Sequence, residues 1–582
     1  GRRTARPGRR PTQGLSDTIR ENAMNDTWDH TYDVVVVGSG AAGMAAAITA
    51  RLRGMTALVV EKTDVYGGST ALSGGAIWVP DNFHLDEAGL GDTPEKARAY
   101  LDATVGDRVT AERKEAYVAH GPRMVQEFHD RTDVRFVYTP GYSDYYPERL
   151  GGYPQGRSVE PQIFDFRKLG PEQRATMRRA GLPTYGLTIT SKDFRQLNMV
   201  GRTWAGRRTA VKVGAQAVRA RLSGQELLSL GEALIARMRH SLDTLGAELW
   251  LSAPLTGLVE EDGRVTGVRI TRDGREVTVR ANGGVVLASG GFSHDQRLRE
   301  KYLPAPTSTE WSSAAEGQTG DALEPAVALG AATDLMDRVW GAPSVVPPDG
   351  KPFFLVADRG IPGMVIVNQA GERYVNEAAP YHEFVDAMYA NDKPGASTVP
   401  SWLILDATSK ARYIFMGLFP GQAFPKPWVE GGLVKKAATV EELAVRIGTA
   451  PERLRATVDR FNGFARAGRD EDFHRGDSVY DRYYGDPTLP NPNLAPLEKG
   501  PYYAIPVHPG DIGTKGGLVT DATARVLRED GTAIDGLYAS GNVSAAVMGE
   551  TYPGPGATIG PAMTFSWLAV DDIDRKRSAE AR

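Results

Sequence analysis

The chain has 582 residues, a formal charge of −4, 41% hydrophobic and 24% charged residues, and no cysteine. Its length implies two or more domains, and its composition is that of a globular protein with no net attraction to nucleic acid. The missing cysteines exclude disulfides, cysteine-ligated zinc or iron-sulfur clusters and thiol catalysis, so chemistry must rest on a cofactor and other side chains, with no metal site expected. No apolar run approaches the ~20 residues that span a bilayer, which makes a cytoplasmic protein the default.

Residues 1–23 are rich in Arg and Pro, carry no apolar core like that of a signal peptide, and precede Met24, a candidate natural start. They read as a disordered tail. The four valines at 34–37 then suggest a buried parallel strand. After them come Gly38-Ser39-Gly40-Ala41-Ala42-Gly43, an alanine-rich helix to Gly54, and a second strand ending at Glu61. In such a unit Gly38 permits the tight turn, Gly40 lets the backbone approach a pyrophosphate, and Gly43 lets the helix lie close to the strand. The phosphates sit at the helix's positive end, and Glu61 is placed to grip a ribose 2′-hydroxyl. Beyond Glu61, the stretch Lys62 to Gly67-Gly68-Ser69-Thr70 and on to Ser73-Gly74-Gly75 offers hydroxyls and bare amides that suit the far half of a long cofactor, FAD rather than NAD. This arrangement resembles the flavoprotein superfamily of fumarate reductase, succinate dehydrogenase and the 3-ketosteroid dehydrogenases. Members that hold flavin covalently carry a histidine near this loop. None lies between His30 and His84, so a noncovalent FAD is expected.

From Asp86 to about Asp130 the pattern predicts two helices, the first starting at Thr93 and the break falling near Gly121-Pro122. A strand at Phe136 runs into a loop crowded with phenols, Tyr142, Tyr145 and Tyr146, each of which packing alone would explain. Residues 149–222 are Arg-rich and irregular and show no clean amphipathic stripe. With Phe166, Tyr185 and Trp204 they read as a solvated, folded excursion, in preference to a membrane-surface contact. A helix is expected from about Gly224 to Leu245, then a hairpin across Asp262-Gly263. A strand from Gly284 then brings Ser289-Gly290-Gly291 back to the cofactor. Between 311 and 509 the pattern is mixed and proline-rich. There Arg373, Glu377 and His382 invite acid/base roles, but a turn held by hydrogen bonds and ion pairs accounts for them. The cofactor signature resumes at Asp511. The final segment carries Gly541-Asn542, the rigid Tyr552-Pro-Gly-Pro-Gly556, and a helix beginning near Ala557 and Ile559, whose positive end suits a flavin pyrimidine ring.

Asp144-Tyr145-Tyr146, Asn376-Glu377 with Pro380-Tyr381, and Tyr552 to Gly556 together resemble the 3-ketosteroid Δ1-dehydrogenases, over nearly the whole chain after Met24. The resemblance implies an α/β protein in which a Rossmann-like FAD-binding domain (24–310 and 510–582, with an elaborated insertion at 149–222) receives an inserted α+β substrate domain (311–509). It makes Tyr381 the base, Tyr145 its supporting phenol, and Tyr552 with the Gly556 amide the pair that holds a ring-A carbonyl. Tyr142 and Tyr146 rival Tyr145 in the same loop. The implied reaction is 1,2-desaturation of a 3-oxosteroid, with proton loss to tyrosinate, hydride transfer to flavin N5, and electrons passed to a quinone-like acceptor. A desaturase acting at another ring-A bond or on a smaller cyclic ketone, and a fumarate-type reductase, are the alternatives. Phenols cannot neutralise the two carboxylates of fumarate, so a neutral, hydrophobic ketone fits better.

Overall fold

The computed structural model describes residues 28–180 and 187–580. The proposed tail, Met24 and Tyr185 lie outside them. β1 (His30–Val37), α1 (Ala41–Leu52) and β2 (Ala57–Val60) form the first βαβ unit. The valines of β1 are wholly apolar because β1 lies between two parallel neighbours with helices and loops over both faces; Val34, Val35 and Val36 are fully buried.

Two helices follow, α2 (Pro94–Thr104) and α3 (Ala111–Arg131), and the break falls between them, not at Gly121-Pro122. Tyr117, Val118, Met124, Val125 and Phe128 are buried along α3 and hold its two halves in line through the proline. Gly121 serves packing instead: a Cβ there would stand 2.9 Å from Val79 Cγ1.

The region 149–222 is also more regular than expected. Ser158–Pro161 pairs with Ile77–Trp78 and Phe136–Tyr138, and two helices, α4 (Ser191–Asn198) and α5 (Trp204–Leu222), form a hairpin. A capping box between Thr190 and Asp193 starts α4. The buried face of α5 is only Gly206, Val213 and Ala220. Its outer face carries Trp204, Val211, Val218 and Leu222, 77%, 73%, 61% and 84% exposed. A stripe does exist, but it faces outward, and its inner counterpart is too slight to read as a core face.

α6 (Leu230–Leu245) begins six residues later than expected, because Leu227–Leu228 first pairs as a short strand with Phe164–Asp165. The hairpin at Asp262-Gly263 is present, with both residues at positive φ. It leads into β3 (Arg264–Arg272), and a second such turn at Asp273-Gly274 opens β4 (Arg275–Leu287). β4 pairs antiparallel with β3 through its first half and lies parallel to β1. A second sheet contains β5 (Val339–Val345), then, past the helix α7 (Tyr381–Asn391), Ser401–Leu405 and the long β6 (Tyr502–Thr514). β7 (Ala533–Ala539) rejoins the first sheet parallel to the end of β4, and α8 (Ile559–Glu580) packs on α1. No helix among the described residues is long and apolar enough to cross a membrane.

Candidate active site

The carboxyl ends of β1, β2, β4 and β7 open on a cavity of about 1460 Å³ that runs on between α4, α5 and the second sheet. This is where ligands sit in open α/β sheets. Gly38 has φ +108, and a Cβ on it would stand 2.3 Å from the Ala288 carbonyl oxygen. Gly40 faces open space, its nearest neighbour being Thr70 Oγ1 at 3.8 Å from an added Cβ. Ser39, Ala41 and Ala42 share the wall. Glu61 is fixed at the end of β2 by the Ser39 hydroxyl (2.6 Å) and the Thr63 amide (2.9 Å). Lys62 turns to Asp321 at 2.7 Å while still lining the wall. Gly68, Ser69, Thr70, Ser73, Gly74, Gly75, Gly290, Gly541, Asn542, Gly556 and Ile559 line the same space, as does Ser289.

Four of the expected cofactor residues do not reach it. Gly43 and Gly291 serve backbone packing, where a Cβ would stand 1.8 Å from the Gly38 carbonyl oxygen and 1.9 Å from Thr514 Oγ1. Gly67 turns the loop at φ +117, and Ala557 is buried away from the cavity lining. The residues present fit FAD: a bare glycine turn meets a helix N-terminus, and the hydroxyls of Ser289 and Ser313 are buried on the cavity wall with no partner among the described residues.

Four phenols meet at the far end. The Tyr145 hydroxyl donates to that of Tyr381 at 2.7 Å. The ring of Tyr552 lies 5.4 Å from that of Tyr381 and 5.1 Å from that of Tyr145, and Tyr480 lies 4.7 Å from Tyr145. Tyr381 and Tyr552 face the cavity, with Tyr145 behind them. The rivals are engaged elsewhere: Tyr142 stacks on Tyr483 and bonds Tyr484, and Tyr146 bonds His382 Nε2 at 2.8 Å.

These positions are built by the backbone. Pro380 sets the start of α7, so Tyr381 projects from its first position. The Tyr145 amide and the Tyr100 hydroxyl both donate to the Pro553 carbonyl, at 2.9 and 2.6 Å. The two phenol loops are therefore tied to each other. Asp144 accepts from Trp78 Nε1 at 2.7 Å and pairs with buried Arg157, and the Trp78 ring lies under Gly554, where a Cβ would come within 2.3 Å. Gly556 has φ +91 against the Ala76 carbonyl, a conformation that bars a side chain.

Burial pushes the Tyr381 phenol well above its ordinary value, and the hydrogen bond from Tyr145 pulls against it. Burial also raises Tyr552, while hydrogen bonding with the Tyr381 and Thr558 hydroxyls and the Gly556 amide favours its anion. The Tyr552 hydroxyl and the Gly556 backbone are thus neighbours on the cavity wall. Burial holds His382 well below its usual value, so it stays neutral. Burial works to raise the Glu377 carboxyl, but Arg373 and Arg475 overcome this and leave it low. Glu377 and Arg373 are thus paired inside the fold.

Residues 33–559 match the FAD binding domain family. The chain is 48% identical to a 3-oxosteroid 1-dehydrogenase of Mycolicibacterium smegmatis over 95% of its own length and 98% of that protein's. It is 35% identical to a 4-oxocyclohexanecarboxylate 2-dehydrogenase of Sinomonas cyclohexanicum, over 93% and 92%. Among solved structures it is similar to the 3-ketosteroid Δ1-dehydrogenase of Sterolibacterium denitrificans in complex with 1,4-androstadiene-3,17-dione, with a TM-score of 0.89, 40% identity, and coverage of 94% and 100%. The chain belongs to the 3-oxosteroid 1-dehydrogenase family of FAD-binding proteins.

Within that family frame, sequence reasoning missed several contributors. Thr558 helps to favour the Tyr552 anion, and the segment Ser312 to Gln318 lines the cavity. Its run of small residues, Ser312-Ser313-Ala314-Ala315, was the available signal. Lys515 Nζ donates to the carbonyls of Glu550 and Thr551, both at 2.7 Å, and so anchors the backbone just before Tyr552. Nothing local marks Tyr480, which arrives from a short helix at Val479–Arg482.

Proposed function

We propose that the protein desaturates ring A of a 3-oxosteroid between carbons 1 and 2, with FAD held noncovalently. The observation that carries this reading is the 2.7 Å Tyr145–Tyr381 hydrogen bond behind a cavity wall that Tyr381, Tyr552 and Gly556 line together. Tyr381 removes the proton from the carbon beside the carbonyl. Tyr552 and the Gly556 amide donate to the carbonyl oxygen as negative charge collects there, and such preorganised donors act at full strength away from water. Bound FAD supplies the hydride acceptor for the neighbouring carbon. The glycine turns and the N-terminal turn of α8 hold it, and the apolar wall, which includes Phe354 and Ile512, suits a neutral polycyclic substrate.

The first sheet with its helices carries the cofactor side, and the second sheet with α7 supplies Tyr381. The chain has no cysteine to build an iron-sulfur relay, and the electrons go to an external acceptor, of the quinone type that the family resemblance implies.

Product analysis tests the reading. The protein is given 4-androstene-3,17-dione, 4-oxocyclohexanecarboxylate or, with a low-potential donor, fumarate. Formation of the 1,4-diene from the steroid supports the assignment. Turnover confined to either carboxylate overturns it.

A further inference from the structure

A buried phenol makes a poor anion, and the hydrogen bond from neutral Tyr145 is the one local feature so far named that helps Tyr381 become one. Arg359 brings a full charge of the right sign close to the Tyr381 ring. It is 1% exposed, sits on the turn Asp358–Gly360, and its guanidinium carbon lies 6.0 Å from the centre of the Tyr381 ring. A buried guanidinium ordinarily takes a carboxylate partner. This one forms no ion pair among the described residues. It donates to three carbonyls, Leu355 at 3.2 Å, Glu377 at 2.7 Å, and Ala379. Two of these belong to the five-residue segment that ends in Pro380 and presents Tyr381. The charge of Arg359 also acts on the Tyr480 phenol and favours its anion.

We propose that Arg359 is a positioning residue for Tyr381: it clamps the backbone that delivers the phenol and, with Tyr480 as intermediary, supplies the positive charge against which the phenol cluster carries one negative charge. The proposal rests on the reading of Tyr381 as the base.

The surrounding groups are consistent with it. Tyr480, beside Tyr145, is pushed up to about 12 by burial, with the charge of Arg359 pulling it back. Tyr142 and Tyr552 face the same cluster as neutral phenols. His382 is neutral, partly because Arg359 and Lys515 face it. Glu383, raised by burial and not at ion-pair distance, and two further carboxyl groups, both raised to about 6 by burial, stand near the guanidinium. Each of the latter two is turned to other donors: Asp358 accepts from the Met416 amide at 2.6 Å, and Asp481 from the Gly476 amide at 2.9 Å and Asn376 Nδ2 at 2.8 Å. Neither neutralises Arg359 at ion-pair distance.

The test is the pH profile of kcat/KM for the steroid in Arg359→Met, Arg359→Lys and Tyr480→Phe, with FAD content and steroid affinity measured alongside. Arg359→Met is expected to move the midpoint of the acid limb upward by about one pH unit, a tenfold change in the ionised fraction at fixed pH. Arg359→Lys is expected to keep the midpoint, and Tyr480→Phe to move it in the same direction by less. An Arg359→Met enzyme with FAD bound and an unmoved midpoint overturns the proposal, even if its rate falls. Should Arg359→Met lose FAD, Tyr480→Phe decides, and an unmoved midpoint there overturns the proposal. Failure of the underlying reading shows separately, as turnover retained in Tyr381→Phe.

Discussion

The hydroxyl of Tyr145 donates to the hydroxyl of Tyr381 at 2.7 Å across 236 positions of sequence. The Tyr145 amide is bonded to the Pro553 carbonyl at 2.9 Å, so Tyr381, Tyr145 and the loop that carries Tyr552 are tied together. Tyr145→Phe keeps the ring packing and removes only the donor. Its kcat is expected to fall about tenfold at neutral pH, on the order of the 1.5 kcal/mol of one hydrogen bond, and to recover in part at high pH. A rate loss equal at every pH contradicts a role for Tyr145 in favouring the anion.

Tyr381→Phe removes the proton acceptor and little else. Turnover is expected to drop by 10²–10⁴-fold, as for loss of a general base, while FAD content and steroid binding persist. Flavin absorbance with steroid titration checks all three quantities in one sample.

The carbonyl pair is expected to act in the transition state. Tyr552→Phe lowers kcat by about 10²–10³-fold, as loss of one preorganised donor does, with a smaller change in KM. Gly556→Ala is expected to be as damaging, since its added Cβ would stand 2.4 Å from the Ala76 carbonyl oxygen and displace the amide. A KM effect alone would assign the pair to binding.

The proposed base role requires Tyr381 as its anion, and burial raises its pKa above the ordinary ~10. The active form therefore grows with rising pH, and the rate climbs through the neutral range to an alkaline optimum. Removing the Tyr145 donor shifts that limb to still higher pH. A flat profile, or one favouring acid, speaks against the base assignment.

The cofactor turn gives an independent check. In Gly38→Ala, the positive φ and the 2.3 Å approach to Ala288 both work against the native turn. The purified variant is expected to retain little FAD, as measured by the flavin-to-protein absorbance ratio. Full flavin content would show that this turn is not the cofactor's cradle.

Much of this was legible in the chain because the signals are local. The valines of β1, the Gly38 turn and the Asp262-Gly263 hairpin each obey one backbone rule within a few residues. The motif phenols were singled out differently, by their resemblance to the 3-ketosteroid Δ1-dehydrogenases, since packing alone would have explained them. Choosing among Tyr142, Tyr145 and Tyr146 could not be done by spacing, because the choice is made by which hydroxyl meets Tyr381, a long-range fact. Arg359 and Tyr480 were invisible for a like reason: a lone arginine beside an aspartate reads as surface, and only the fold buries it among carbonyls. The helix α3 was misread because Pro122 is a strong local breaker, and tertiary burial of Tyr117 through Phe128 overrides it.

The most direct measurement is a single turnover without oxygen: purified protein with FAD bound is mixed with 4-androstene-3,17-dione while flavin absorbance is followed and the steroid product identified. Bleaching of the flavin with one equivalent of 1,4-diene, absent in Tyr381→Phe, is the predicted result. A flavin that stays oxidised with steroid bound, or one that bleaches equally in Tyr381→Phe, contradicts the account.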